Sequence, residues 1–346
     1  MPLDEARRIF ELCAICKYCN GYCEVFRVAE KRKQFSDGDL TYLAHLCHNC
    51  QNCWPACQYA PPHIFAVNVP KTLSEVRELS WKRRSWIAWL FIALFPLLTL
   101  FLVPWDILFA RHTGPGAFYK VLPWSVLVIT AAVPFLTSAF LLVFKLAVFW
   151  KRSGGGNPWR ALLDVCWDIF SLPNLKGGGI GCHDFDDVFS FWGRRFHLIL
   201  FYGFMLCVCS TVTASFYHHF YHLSAPYPVL SLPVLLGTVG GIGIIVGCVG
   251  LFWIKLKADP ALDAYPKDYS LLILLFLVSI TGLALLVFRS TVAMGLLLAL
   301  HMGCVTGFFA TLTCSKFAHA PFRALALLRA AMERRNLSNK RTEEGA

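Results

Sequence analysis

The sequence predicts an all-α protein in two parts, a small cysteine-bearing helical head and a six-helix transmembrane bundle. Three observations carry this. Of 346 residues, 57% are hydrophobic and only 15% charged, where a soluble chain holds about 25% charged residues. Six apolar runs are each long enough to cross a bilayer. Eight of the 15 cysteines fall within the first 57 residues, in a motif that occurs twice. Collagen-like, disordered and ordinary cytosolic-enzyme chains are excluded by this composition.

The apolar runs lie at about 86–104, 121–149, 196–220, 229–254, 269–288 and 291–318. At about 1.5 Å per residue they match a hydrocarbon core of roughly 30 Å. The connections hold the charge, so Lys and Arg set the orientation. One set carries Arg111, Lys120 and Arg289. The other carries Arg77, Lys82, Arg83 and Arg84 before the first span, then Lys151, Arg152, Arg160, Lys176, Arg194 and Arg195 after the second. It continues with Lys255, Lys257 and Lys267 and the stretch from Lys316 to Arg341. The head (1–80), the loop 151–195 and the basic tail (321–346) are therefore expected in the cytoplasm, flanking a transmembrane domain at 86–320. A bacterial inner-membrane protein results, multi-pass, with both ends cytoplasmic. Its topology accounts for the net charge of +11, so no nucleic-acid partner is expected. Trp81, Trp86, Trp89, Trp105 and Trp124 read as interfacial anchors.

Residues Met1 to Glu11 are charged and lack the apolar core of a signal peptide. The head is thus expected in a reducing compartment, where cysteines serve as metal ligands rather than disulfides. They are Cys13, Cys16, Cys19 and Cys23, then Cys47, Cys50, Cys53 and Cys57: C-x2-C-x2-C-x3-C twice, 34 residues apart. Leu40, Leu43, Ala44 and Cys47 follow helical spacing, with Asp37 or Asp39 as the expected N-cap. Three thiolates at that spacing wrap one cluster while the fourth reaches the other. Cys13, Cys16, Cys19 and Cys57 are assigned to one 4Fe–4S cluster, and Cys47, Cys50, Cys53 and Cys23 to a second. A zinc site has no use for the regular third cysteine. The head is therefore read as a small helical ferredoxin-like domain with two 4Fe–4S motifs. Ferredoxin runs usually end Cys-Pro; here Glu24 and Gln58 follow instead.

Histidines inside spans are functional hypotheses by default. His197 and His218, His219 and His222 lie at opposite ends of the third span, and the sixth carries His301 and His319. At about 100° per residue, His301 and His319 fall on one helix face, and His197 lies within about 40° of His219. The two spans run antiparallel, so His197 comes level with His319, and His218 or His219 lies toward His301. That is the geometry of bis-histidine haem b. One haem is expected at the first pair; a second rests on a pair mismatched by about 10 Å in depth. Gly237, Gly241, Gly243 and Gly247 are read as close helix packing. The glycine-rich loop 153–193 is read as a flexible docking or quinone-covering segment.

The stretches CAICKYCNGYCEVF (13–26), LCHNCQNCWPACQYAPPH (46–63), NVP (68–70), GGGIGC (177–182) and FHLILFYGF (196–204) resemble the tricarballylate-utilisation (citrate-utilisation) protein B family. The resemblance implies a membrane electron-transfer subunit. Such proteins reoxidise the reduced flavin of an FAD-dependent dehydrogenase, tricarballylate dehydrogenase in the name-giving case. They pass electrons through two 4Fe–4S clusters and haem b to the membrane quinone pool. The alternative is a transporter or sensor with a redox-sensing iron–sulfur head. A carrier is expected to place carboxylates at mid-membrane, whereas Asp106, Asp164, Asp168, Asp259, Asp263 and Asp268 fall in loops or at span ends.

Overall fold

The computed structural model describes residues 1–81, 84–185, 188–258 and 269–344. Lys82, Arg83, Asp259, Asp263, Lys267 and Asp268, used above, lie outside the described residues.

The head is built from α1 (Pro2–Cys16), α2 (Glu24–Ala29), α3 (Asp37–Leu46) and α4 (Val69–Glu78). Pro2 opens α1 with Asp4 and Glu5 in its first turn, where the missing N–H is harmless and the helix dipole favours acid. The N-cap of α3 is neither aspartate but Ser36, in a reciprocal capping box with Asp39. Ser36 precedes the first helical residue and can turn its hydroxyl onto the Asp39 N–H, while the carboxylate answers the Ser36 N–H. Asn68 caps α4 through the Lys71 N–H.

These helices bury Phe10, Phe26, Leu40, Tyr42, Leu43 and Leu73 around one core. The core is completed from elsewhere in the chain, by Phe149 and by Phe322, Ala326, Leu327 and Ala330. The stretch expected as a basic tail is therefore a packed element, α14 (His319–Glu344). Its charges are paired with the head and loop: Glu333 with Arg32 at 2.7 Å, and Arg334 with Glu24 at 2.9 Å and Asp168 at 3.0 Å. Trp81, expected at the interface, is buried in the same core, while Trp86 and Trp105 are exposed.

Beyond the head come α5 (Trp86–Leu102), α6 (Trp105–Leu108), α7 (Ala117–Val121), α8 (Trp124–Arg152) and α9 (Leu162–Ser171). A short antiparallel hairpin follows, β1 (Cys182–Phe185) and β2 (Val188–Ser190). Then come α10 (Trp192–Phe220), α11 (Leu232–Lys257), α12 (Ser270–Phe288) and α13 (Met294–Ala310). Four of these, α8, α10, α11 and α12, are long and apolar enough to cross a membrane. At 17 residues each, α5 and α13 sit at the lower limit of a span, about 26 Å at 1.5 Å per residue.

Glycines let α10 and α11 approach backbone to backbone. A Cβ on Gly203 would lie 2.8 Å from the Gly240 carbonyl, and one on Gly247 2.8 Å from the Leu200 nitrogen. Gly303 and Gly307 serve α13 against α5 in the same way. Gly237 and Gly241 pack closely against side chains of neighbouring helices instead of backbone: a Cβ would lie 3.0 Å from Ser210 Oγ on the first and 3.3 Å from the Leu283 side chain on the second.

The sixth apolar run is not one helix to residue 318. Its helix α13 ends at Ala310, a 3-10 turn spans Lys316–Ala318, and α14 starts at His319. A continuous helix would set the Pro321 ring against the Phe317 carbonyl. The Ser315 hydroxyl meanwhile accepts from the Phe317 N–H and caps the turn. Periodicity between His301 and His319 therefore does not put them on one helix face.

Candidate metal centres

Each cysteine run wraps a void. Cys13 and Cys16 come from the last turns of α1 and Cys19 follows it; with Cys57 they line one void alongside Leu12, Phe26 and Tyr59. Cys23, Cys47, Cys50 and Cys53 line the other beside Leu73. The fourth cysteine of each run thus crosses to the void of the other. Left-handed backbone at Lys17, Asn49 and Gln51 (φ 56°, 56° and 64°) bends the chain around these spaces. Among the described residues no three His, Cys, Asp or Glu side chains converge on a single-ion site. A four-thiol cradle open at its centre suits a polynuclear iron–sulfur cluster.

The thiols are electrostatically crowded. Burial, then the neighbouring Cys19, Cys57 and Cys16, pushes Cys13 up to about 12. Burial with Cys47 and Cys50 does the same to Cys23, also to about 12. Burial raises Cys19 and Cys50 to about 11. Such thiols hold their protons unless a metal displaces them. Amide donors already face the sulfurs: the Asn49 N–H donates to Cys47 Sγ at 3.4 Å and Gln58 Nε2 to Cys16 Sγ at 3.5 Å. The two residues standing where ferredoxins carry proline are thus both employed: Gln58 as that donor, Glu24 as the partner of Arg334.

The second tetrad abuts the bundle through arginines. Arg323 donates to the carbonyls of Cys47 and His45, and Arg77 donates to the Cys47 carbonyl at 2.8 Å. Burial, then mutual repulsion with Arg77, depresses Arg323 to about 9. Among the described residues neither guanidinium has a carboxylate partner within ion-pair distance. Arg323 lies one turn from His319 on α14.

His319 and His197 come together, ring centres 6.4 Å apart and planes at 79°. The His319 Nδ1–H donates to the Lys316 carbonyl, which leaves Nε2 as its lone-pair nitrogen. Ligating histidines are commonly oriented this way. Two imidazoles each about 2 Å from a shared metal would have their ring centres about 6 Å apart. Both side chains keep accessible surface yet lie deep, as groups lining a crevice do; burial and Arg323 drive His319 down to about 3. His48, between two cysteines of the second run, is likewise held low, by burial and then Arg323, Arg77 and His197.

The other predicted histidines do not form the expected second pair, although His218 and His219 are ring neighbours of each other at 5.2 Å. His218 stacks on Trp124 at 5.0 Å, and His219 meets the same indole edge-on. His301 lies at an intramembrane cavity, its Nδ1 3.1 Å from Thr281 Oγ1. The expected second pair fails because the break at residues 311–318 resets the register between His301 and His319.

The glycine-rich loop docks on the second tetrad. The His183 N–H is shared between the Cys50 carbonyl and Asn52 Oδ1, both at 2.9 Å, and Asn52 Nδ2 donates to the Gly181 carbonyl at 2.7 Å. Asp184 anchors the hairpin by accepting from Ser190 Oγ and the Gly193 N–H. Asn52, His183, Arg77, Arg323 and His48 were not legible as site residues from spacing alone. The available signals were His48 inside the second run and the four-residue interval from His319 to Arg323.

Two family models match the chain. Residues 6–82 match the citrate utilization protein B Fer4-like domain, and residues 80–340 match citrate utilization protein B. A citrate utilization protein B of Escherichia coli is 40% identical over 353 aligned positions, 96% of this chain and 93% of that protein. No solved structure matches the chain significantly. A Fer4-like head joined to long apolar helices is the organisation seen here, and the chain belongs to the citrate utilization protein B family.

Proposed function

We propose that the protein is a membrane electron-transfer subunit that reoxidises the reduced flavin of a partner dehydrogenase and delivers the electrons to the quinone pool. One observation carries the reading: the second cysteine tetrad and the His197–His319 pair meet at a half-buried guanidinium, Arg323. Bound in these places, two 4Fe–4S clusters and a haem b supply one-electron carriers. Cys13, Cys16, Cys19 and Cys57 hold the outer position, where a flavoprotein has access from water. Cys23, Cys47, Cys50 and Cys53 hold the inner one. Arg323 and Arg77 offset the thiolate charge there, and His48 bridges toward His197. The loop 181–184 keeps water off the inner tetrad. The reading puts head and α14 on the cytoplasmic side, following the Lys and Arg distribution, and leaves the substrate to the dehydrogenase.

The test is a reduced-minus-oxidised visible spectrum of the detergent-purified protein, with haemochrome and non-haem iron measured on the same sample. About eight non-haem irons per chain, as two cubanes require, with a b-type signal lost in His197→Ala, is the expected result. Iron without haem would leave the histidine pair structural and refute the route through it.

A further inference from the structure

The bundle encloses a second kind of space. A cavity of about 390 Å³ lies between α10, α11, α12 and α13. It runs from Phe204 and Phe308, toward the head, to Tyr227 and Pro233 at the far end. Its wall is mainly apolar, and Val208 on that wall is 42% exposed. An apolar molecule therefore has a lateral way in from lipid. His301 is the one imidazole among the described lining residues. Thr281 holds it by Nδ1 while donating its own proton to the Leu277 carbonyl at 2.6 Å. Gly282 clears its flank, since a Cβ there would lie 3.0 Å from the ring.

We infer that this cavity binds the membrane quinone, head group at His301 and tail along the apolar wall toward lipid; the assignment rests on the function proposed above. Reach supports it. Phe204 and Phe308 belong both to the cavity wall and to an aromatic cluster with Phe317, with ring centres 5.6, 6.0 and 5.2 Å apart. Phe317 is two residues from His319. Phe204 is seven residues from His197, or about 10 Å along α10. Electrons leaving the histidine pair thus have the head-side end of the cavity about 10 Å away along α10.

The chemistry also fits. A quinone needs an apolar slot with one or a few polar groups at its carbonyls. On reduction its ring takes up two electrons, arriving singly from the His197–His319 end. Its two carbonyl oxygens take up two protons and become hydroxyls. Those protons come from water at the Tyr227 end, with His301 passing one to the nearer oxygen. A haem in the same space would need axial ligands from the wall. No second histidine and no methionine stands among the described lining residues. Cys207 there turns its Sγ onto the α11 backbone at Gly240.

The experiment uses the full-length, cofactor-loaded protein in nanodiscs, reduced with dithionite and mixed with decylubiquinone or menadione while reoxidation is followed spectrally. His301→Asn is expected to slow reoxidation at saturating quinone at least tenfold, with iron and haem contents equal to wild type. Gly237→Leu, which pushes a side chain into the cavity beside Ser210, is expected to raise the half-saturating quinone concentration at least tenfold. Wild-type kinetics in both variants would overturn the site and leave the function standing. Loss of haem from His301→Asn would overturn it in favour of a haem in the cavity. Failure of either quinone to reoxidise the wild type would overturn the proposed function, and this site with it.

Discussion

Asn52→Ala removes the clasp between the loop and the inner tetrad without touching a cysteine. Two bonds are lost, from Asn52 Nδ2 to the Gly181 carbonyl at 2.7 Å and from the His183 N–H to Asn52 Oδ1 at 2.9 Å. A net hydrogen bond is worth about 0.5–1.5 kcal/mol. The His183 N–H keeps its second acceptor, the Cys50 carbonyl, whereas the Gly181 carbonyl loses its amide donor in a buried place. The loss is therefore about 1–2 kcal/mol, a roughly 5- to 30-fold rise in the population of the undocked loop. Hydrogen exchange read by mass spectrometry should show peptides covering 175–190 exchanging faster by that factor, with α10 and α11 unchanged. The inner iron should also become more oxygen-labile than the outer. Unchanged exchange over the hairpin would refute the clasp; uniform acceleration across the chain would mean that Asn52 acts on global stability instead.

Three further outcomes are expected. Burial alone would raise the Asp39 carboxyl, but hydrogen bonds from Ser36 and Arg32 outweigh it and hold the group below its ordinary value of 3.8. Its contribution is thus present above that value and lost as pH falls through the depressed one, so Asp39→Asn should lower the melting temperature at pH 7 and flatten its acid limb. Gly247→Leu drives a side chain into the Leu200 backbone, 2.8 Å from where its Cβ would sit. It should cost several kcal/mol and be read as lost folded yield, whereas Gly21→Ala, with open space around it, should be neutral. Arg323→Gln removes a half-buried cation, without a carboxylate partner among the described residues, beside the Cys47 carbonyl. Potentiometric titration should show a lower midpoint for the inner iron–sulfur centre and no change at the outer one, while Arg323→Lys restores most of the difference.

What the sequence made legible follows from how local each signal is. Cysteine spacing is local, so the exchange of Cys23 and Cys57 between the two runs needed no knowledge of the rest of the chain. Apolar run length is local too, which is why α8, α10, α11 and α12 were expected close to where they lie. The histidines show where that reasoning stops. Matching His197 with His319 needed only that two spans run antiparallel. Matching His301 with His218 or His219 needed an unbroken helix through residue 319, and Pro321 with the Ser315 cap prevents it. What the loop 153–193 docks on was hidden for another reason. Its order comes from Asn52, some 130 residues away, and a glycine-rich segment carries no trace in its own composition of a partner at that range. The same applies to α14. Read alone it is a basic stretch. Read against Asp164, Asp168, Glu24 and Asp39, its arginines and the Glu333–Arg32 pair form a charge network across three segments. That network brings Arg323 and His319 against the inner tetrad. The helix that looked least functional is thus the one that joins the head to the membrane domain, and substitutions that unseat it should open the head's core and uncouple the two together.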